Sequence, residues 1–444
     1  AGFAKTKELQ PGEQEEVTVS FATESMAGYD MARAAYILEA GVYYVRVGNS
    51  SRNTHIAGAI HLDAEAVVEQ ERNICGESGF TDLKPEKCGV TYAEEAKEKV
   101  SAVSVELSAA ELKQVTHVYS ELPRELPHGP ACRWEEVVSG KKTMEEFVGG
   151  LTDEQLAYLC IGAYKECEDM MEVIGNASIS VAGAAGETTQ QLKELGTPTL
   201  VMADGPAGLR LAKEYYKDEK GIHAIGQSAI PDSFLDFMSK PMIFFMKLFT
   251  GGNKGSKEEN KIKYQYCTAI PIGTAIAQSF NTELAEMYGD IVGSEMEMFG
   301  VHLWLAPALN IHRSIRCGRN FEYYSEDPLI SGLMAAAITK GVQKHPGCGT
   351  TIKHYAANNK ELNRYCNNSH VSERAMREIY LKGFGICVKE AQPHALMTSY
   401  NLLNGTHTAE HRGMIEDILR SEYAYEGIVM TDWVISMSGN KQSV

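Results

Sequence analysis

No CxxC pair and no regular spacing connects the ten cysteines of this 444-residue chain (Cys75, Cys88, Cys132, Cys160, Cys167, Cys267, Cys317, Cys348, Cys366 and Cys387). That excludes the usual zinc-ribbon and redox signatures and reads as reduced thiols of a cytosolic protein. Cys75 and Cys88 leave open a disulfide or half a metal site, but no further Cys or His stands near them at ligand spacing. Long apolar runs are lacking too. The longest, residues 241–249 (PMIFFMKLF), is far below the ~20 residues of a membrane-spanning helix and reads as a buried patch. The first residues, AGFAKTKELQ, carry neither an initiating Met nor the apolar segment of a signal peptide, and read as an internal start. Basic charge is scarce. With 42 Lys and Arg against 59 Asp and Glu the formal charge is −17, and no basic block offsets it. Such a surface repels nucleic acid and anionic membranes and suits neutral or cationic small molecules, although solubility alone explains an acidic excess.

The length allows two or three domains. Residues 15–21 (EEVTVSF) alternate in the strand period, and residues 41–47 (GVYYVRV) are β-rich and followed by turn residues. A small β module is expected over residues 1–60. Residues 61–140 are charged, with helical patterns at 93–103 and 109–118 broken by Pro123, Pro127 and Pro130, and read as a linker with helices. From residue 141 the pattern changes. Thr152 and Gln155 form a capping box ahead of Leu156, Leu159 and Cys160. Apolar runs at 199–203, 269–276, 302–306, 350–354, 395–399 and 427–430 then alternate with helical segments. The clearest helix starts at the Asn281 cap, carries Leu284, Met287, Tyr288, Ile291 and Val292 on one face and stops at Gly300. Ser372 starts another, with Met376, Ile379, Tyr380 and Phe384, which closes near Gln392-Pro393.

This alternation, with polar residues gathered at strand C-terminal ends, predicts an α/β fold: a (β/α)8 TIM-like barrel over residues 141–444. Six strands are legible. Only turn-like residues (SMSGNKQSV) remain after Asp432 and Trp433 for another, so the barrel is expected to be incomplete at its C-terminus. Residues 211–266 interrupt the pattern and read as a rim insertion, a surface loop rather than part of a subsite.

Five segments carry charged and aromatic residues at strand ends: ADGPAGLR (203–210), GRNFEYYSEDP (318–328), KHYAANN (353–359), MTSYN (397–401) and GIVMTDW (427–433). Together they resemble glycoside hydrolase family 3, over roughly residues 140–444. PGE (11–13), Tyr29-Asp30 and residues 39–52 resemble the fibronectin type III-like domain of family 3 β-glucosidases, without its first strands. The order, β module before barrel, is that of members with permuted domains.

A retaining glycosidase needs one carboxylate to trap the anomeric carbon and a second carboxylic acid to protonate the leaving oxygen. Asp432, on a strand end beside the apolar wall of Trp433, fits the first role; a helix cap is the alternative use of such an Asp. Asp204, ahead of Gly-Pro, suits gripping a sugar diol, with Arg210 offering a fork of donors, or else forms a turn. The resemblance implies that Lys353, His354 and Arg319 donate to glucose hydroxyls, that Tyr400 neighbours the nucleophile and that Met397 lines the subsite. It also implies a general acid/base glutamate from a separate α/β sandwich domain, which nothing in the chain resembles and which is expected before residue 1. Family members that cleave N-acetylglucosaminides carry a His and an Asp in a glycine-rich loop after the Lys-His pair. Here that position reads YAANN. Glu322 and Asp327 read as salt bridges that hold their loop, and His302, His312, His394 and His407 as packed or exposed. The expectation is a retaining, exo-acting β-glucosidase for terminal β-D-glucosyl residues of β-glucosides or short β-gluco-oligosaccharides, with no metal or cofactor. Nucleic acid and membrane are not expected partners, and a homo-oligomer is left open. A β-xylosidase or broader exo-glycosidase, and a non-catalytic carbohydrate-binding protein, are the alternatives.

Overall fold

The computed structural model describes residues 2–76, 78–83, 95–121, 128–162, 177–219, 221–225, 239, 241–242 and 261–433. Most of the apolar run at 241–249, the turns at 251–260, Cys88, Cys167, Pro123, Pro127 and the turn-like residues 434–444 lie outside the described residues. The eight described cysteines are free thiols. No helix among the described residues is long and apolar enough to cross a membrane.

The N-terminal region is built from seven strands: β1 (Gly28–Asp30), β2 (Ala35–Leu38), β3 (Gly41–Ser50), β4 (Asn53–Leu62), β5 (Ala66–Gln70), β6 (Ser104–Leu107) and β7 (Val115–Thr116). They form two sheets in the orders β1-β2-β5-β7 and β3-β4-β6. Leu38, Leu62, Ala66, Val68 and Leu112 fill a core between them. Two expectations change here. Residues 15–21 form no strand, because alternation makes a strand only where a partner takes its backbone bonds, and Val17 and Val19 stay exposed. The β region also continues past residue 60: three strands and the helix Glu95–Ser101 occupy the expected linker, while 109–118 holds a 3-10 turn at Ala109–Glu111 and then β7. Strands of two to five residues are too short for their periodicity to stand out from charged neighbours.

The helix Asp153–Cys160 has the expected cap, with Thr152 accepting from the Gln155 amide. The main sheet then begins with β8 (Gly186–Thr188) and β9 (Leu200–Ala203). The insertion carries β10 (Glu214–Asp218), β11 (Gly221–Ile225) and β12 (Lys263–Tyr264), a small antiparallel sheet rather than a plain loop. Next come β13 (Leu303–Trp304), β14 (Gly349–Tyr355), β15 (Asn368–Ser369), β16 (Ala395–Thr398), β17 (Leu402–Leu403), β18 (Thr406–His407) and β19 (Ile428–Met430).

Six of these form an open, curled half-barrel in the order β19-β16-β14-β13-β9-β8. All neighbours run parallel except β8, which lies antiparallel to β9. The count matches the six strands read from sequence, but one member differs. Residues 269–276 make no strand; their apolar end enters the helix Gly273–Gln278, which buries Ile276 and Ala277. A short apolar run cannot distinguish a buried helix from a strand.

Helices cover the outer face. Thr282–Phe299 starts where the Asn281 side chain accepts from the Leu284 amide and ends at Gly300, whose φ of +73° suits glycine. It crosses Pro328–Val342 closely enough that a Cβ on Gly289 would stand 2.1 Å from the Ile338 carbonyl oxygen. Asp327 caps this second helix, accepting from the Leu329 amide at 2.8 Å, so its role is a cap and not the expected salt bridge. The helix after Ser372 passes through a π segment at Met376–Tyr380 and continues as Lys382–Ala391.

The β region is clamped to the half-barrel by Arg377, which is 2 % exposed. Its guanidinium pairs with Glu71 of the β region, with Glu373 at 2.7 Å and with Glu422 at 2.7 Å, and lies 4.9 Å from the Tyr29 ring centre. Burial raises the Glu422 and Glu373 carboxyls above their ordinary range. Removing the arginine that these carboxylates share leaves buried charge uncompensated. Arg377→Met should therefore cost about 3–5 kcal/mol in chemical denaturation. A loss below about 1 kcal/mol would mean that the carboxyls protonate without penalty and that the clamp is not ionic.

Candidate active site

The sheet order places β14 centrally, two strands from β9 and two from β19, and the residues at the C-terminal ends of these three strands build the site.

Asp204 follows β9. Its turn is tight: Gly205 has a φ of +118°, and a Cβ there would lie 2.0 Å from the Gly208 oxygen, so only glycine fits. The Arg210 amide closes the turn onto the Asp204 carbonyl at 2.8 Å, and the Trp304 indole donates to the Gly205 carbonyl at 2.8 Å. One carboxylate oxygen of Asp204 accepts from Lys353 Nζ at 2.9 Å, the other from Arg210 at 2.7 Å. Burial opposes ionisation of this group, but the two cations outweigh it and hold the carboxyl well below the usual range.

β14 runs through Lys353 and His354 to Tyr355, and its pairing with β16 shifts register between Ile352 and Tyr355. That irregularity interrupts the alternation of faces, so adjacent side chains both serve the site. His354 is buried, with Nε2 3.7 Å from Asp432 Oδ2 and Nδ1 3.4 Å from the Tyr323 hydroxyl. Burial, then the charges of Arg319 and Lys353, push its pKa far below the ordinary value, so the imidazole is neutral and its contact with Asp432 is not an ion pair.

Asp432 follows β19 and is 8 % exposed. Its Oδ1 accepts from the Trp433 amide at 2.8 Å, while the buried Oδ2 has no hydrogen-bond partner of good geometry among the described residues, although the Tyr400 hydroxyl is near enough to favour the charged carboxylate. Burial raises this carboxyl; Lys353, Arg319 and the nearby Tyr400 hydroxyl oppose the rise, and the net position is above an ordinary aspartate. Arg319 is engaged by the buried Glu322, the loop salt bridge expected from sequence. Met397 lies in register with Met430 and packs with Met202, Leu303 and Leu305 in the layer beneath the site. Trp433 joins that layer and donates to the Ala185 carbonyl at 3.3 Å, tying the end of β19 to the segment that enters β8. The structure thus gathers all nine residues singled out from sequence around one strand-end region.

Sequence reasoning missed the support behind them. Asn310 exchanges hydrogen bonds with both backbone groups of His354, at 2.9 and 2.8 Å. Asn358 donates to the Tyr323 hydroxyl at 3.1 Å and to Glu361 at 3.0 Å; Glu361 in turn holds Arg364, which lies 4.4 Å over the Tyr400 ring. Asn358, Glu361 and Arg364 follow the Lys-His pair at three-residue spacing, but spacing alone does not show which rings they meet. His302 and His312 are packed as read, on the Val201 amide and the Asn320 carbonyl. The result is a polar strand-end cluster with three cations (Lys353, Arg210 and Arg319), a neutral imidazole, an indole and two aspartates, one of which has an oxygen without a hydrogen-bond partner among the described residues, which suits a polyhydroxylated ligand with an electrophilic carbon.

Comparison with known proteins places the chain in a family. The model of the glycosyl hydrolase family 3 N terminal domain matches residues 256–443, and that of the fibronectin type III-like domain matches residues 1–51. Beta-glucosidase A of Butyrivibrio fibrisolvens is 32% identical over 453 aligned positions, covering 97% of this chain and 46% of its own length. A β-glucosidase structure from Paenibacillus barengoltzii superposes with a TM-score of 0.63 at 31% identity, over 92% of this chain and 39% of its own. The β-glucosidase 3B of Thermotoga neapolitana, solved in complex with α-D-glucose, gives 0.52 at 38% identity, over 66% and 34%. The chain spans less than half the length of each of these relatives. With its fibronectin type III-like region ahead of the matched catalytic domain, the chain belongs to glycoside hydrolase family 3 and has the domain-permuted arrangement.

Proposed function

We propose that the protein is a retaining, exo-acting β-glucosidase with Asp432 as nucleophile and Asp204, Arg210, Arg319, Lys353, His354, Met397, Tyr400 and Trp433 around the terminal glucose. The observation that carries this reading is the Asp432 carboxylate: buried at a strand end, fixed through one oxygen, with the other lacking a hydrogen-bond partner of good geometry among the described residues. In the first step Oδ2 attacks the anomeric carbon as the glycosidic bond breaks, giving a glycosyl-aspartate; water then cleaves that ester with a second inversion, so the configuration is retained. Lys353 and Arg319 oppose the rise that burial imposes on the Asp432 carboxyl. Asp204, already ionised between two cations, accepts hydrogen bonds from a sugar diol. Glu322 is committed to Arg319, and protonation of the leaving oxygen is not assigned to any described residue.

Asp432→Ala should lower turnover of aryl β-glucosides by roughly three orders of magnitude or more, with azide restoring part of it as the α-glycosyl azide. Near wild-type turnover in that variant would remove the assignment. The acid limb of kcat/KM should reflect Asp432, with activity lost as pH falls through its raised pKa. Lys353→Met removes a cation that lowers this pKa, so the limb should move to higher pH; an unmoved limb would show that another group controls it.

A further inference from the structure

On the far side of Tyr323 from His354, the described residues form an open-sided cleft of about 450 Å³. None of the nine residues assigned to the sugar lines it. Arg313, Arg316, Lys360 and His370 do, together with the side-chain amides of Asn367 and Asn368, and no carboxylate is among the lining residues. The composition is unexpected for a chain of net charge −17. Elsewhere arginines and lysines are routinely matched to acids, as in Arg33–Glu65, Lys340–Glu390 and Lys344–Glu286. Arg313, Arg316 and Lys360 have no ion-pair partner among the described residues. Like charges gathered in one concavity repel each other and focus a positive potential, which a bound anion relieves.

The walls are also prepared for such a guest. Arg313 Nε donates to the Tyr380 hydroxyl at 3.0 Å, which fixes the guanidinium while leaving its terminal nitrogens available. The Asn368 carbonyl oxygen is taken by the Gly405 amide at 2.9 Å, so what that side chain can still offer is its NH2 donor. A wall of guanidinium, ammonium and amide donors pairs with an oxyanion, and guanidinium binds carboxylate and phosphate in the same bidentate manner. Cys317, at the cavity, packs with Ala308 and Tyr323, and the Tyr323 hydroxyl is the one 3.4 Å from His354. The cavity therefore sits one layer of side chains behind the sugar site without sharing its polar groups.

We propose that this cavity binds a small, hydrophilic ligand through a phosphate or carboxylate group held by Arg313, Arg316 and Lys360. The proposal is independent of the role given to Asp432. It is tested by isothermal titration at constant ionic strength, with inorganic phosphate, glucose 6-phosphate and glucuronate as probes, into the wild-type protein, Arg313→Gln/Arg316→Gln and Lys360→Gln. Thermal unfolding checks that each variant is folded. The expected result is saturable binding at one site, weakened at least about tenfold in both variants. Binding by phosphate and glucose 6-phosphate alone identifies a phosphate ligand, and binding by glucuronate alone identifies a carboxylate. No saturable binding by any probe at millimolar concentration, or equal affinity in wild type and variants, overturns the proposal.

Discussion

Two adjacent residues on one strand hold the candidate site together. Neighbouring strands lie about 4.8 Å apart, so in a flat sheet β9 and β19 would each stand nearly 10 Å from β14. Lys353 nevertheless reaches Asp204 on one flank and His354 reaches Asp432 on the other. This requires the curl of the half-barrel and a local break in the alternation of faces, which the register shift in β14 provides. Asn310 then fixes the backbone of His354 from a neighbouring segment.

The same placement separates the two aspartates chemically. Asp204 is in direct contact with Lys353 and Arg210, and their charges overcome its burial. Asp432 is in contact with no cation that satisfies its Oδ2, and burial dominates. Carboxyls of one residue type whose environments push their pKa values apart are suited to different tasks. In the proposed function, Asp204 grips hydroxyls and Asp432 forms the bond. The scaffold keeps both in place: Trp433 ties the two edges of the half-barrel, and Arg377 fixes the β region to the helices on its outer face.

The sequence showed residues better than it showed the structure around them. Asp432, Asp204 and the Lys-His pair stand at strand ends within apolar runs, where a charged residue is conspicuous, and the Asn281 and Thr152 caps announce their helices. Where signals were short they failed. β8 lies between small residues, and the strands β5 to β7 were taken for a linker. The run at 269–276 carries no period that separates helix from strand. Asp327 looked like a partner for a charge, yet it precedes Pro328, and that pairing of a cap with proline at the first helical position was the better clue. The Asn358, Glu361 and Arg364 support could not be weighed without knowing that Tyr323 and Tyr400 lie against it, since those contacts join distant parts of the chain.

The central claim is that Oδ2 of Asp432 forms the bond to the sugar. The most direct measurement treats the protein with a 2,4-dinitrophenyl 2-deoxy-2-fluoro-β-glucoside, whose leaving group departs without protonation and whose fluorine slows hydrolysis of the ester. The labelled residue is then located by peptide mass spectrometry. The account predicts one sugar per chain, on Asp432, and none in Asp432→Ala. Labelling of another carboxylate such as Glu322, with Asp432 unmodified, would contradict it.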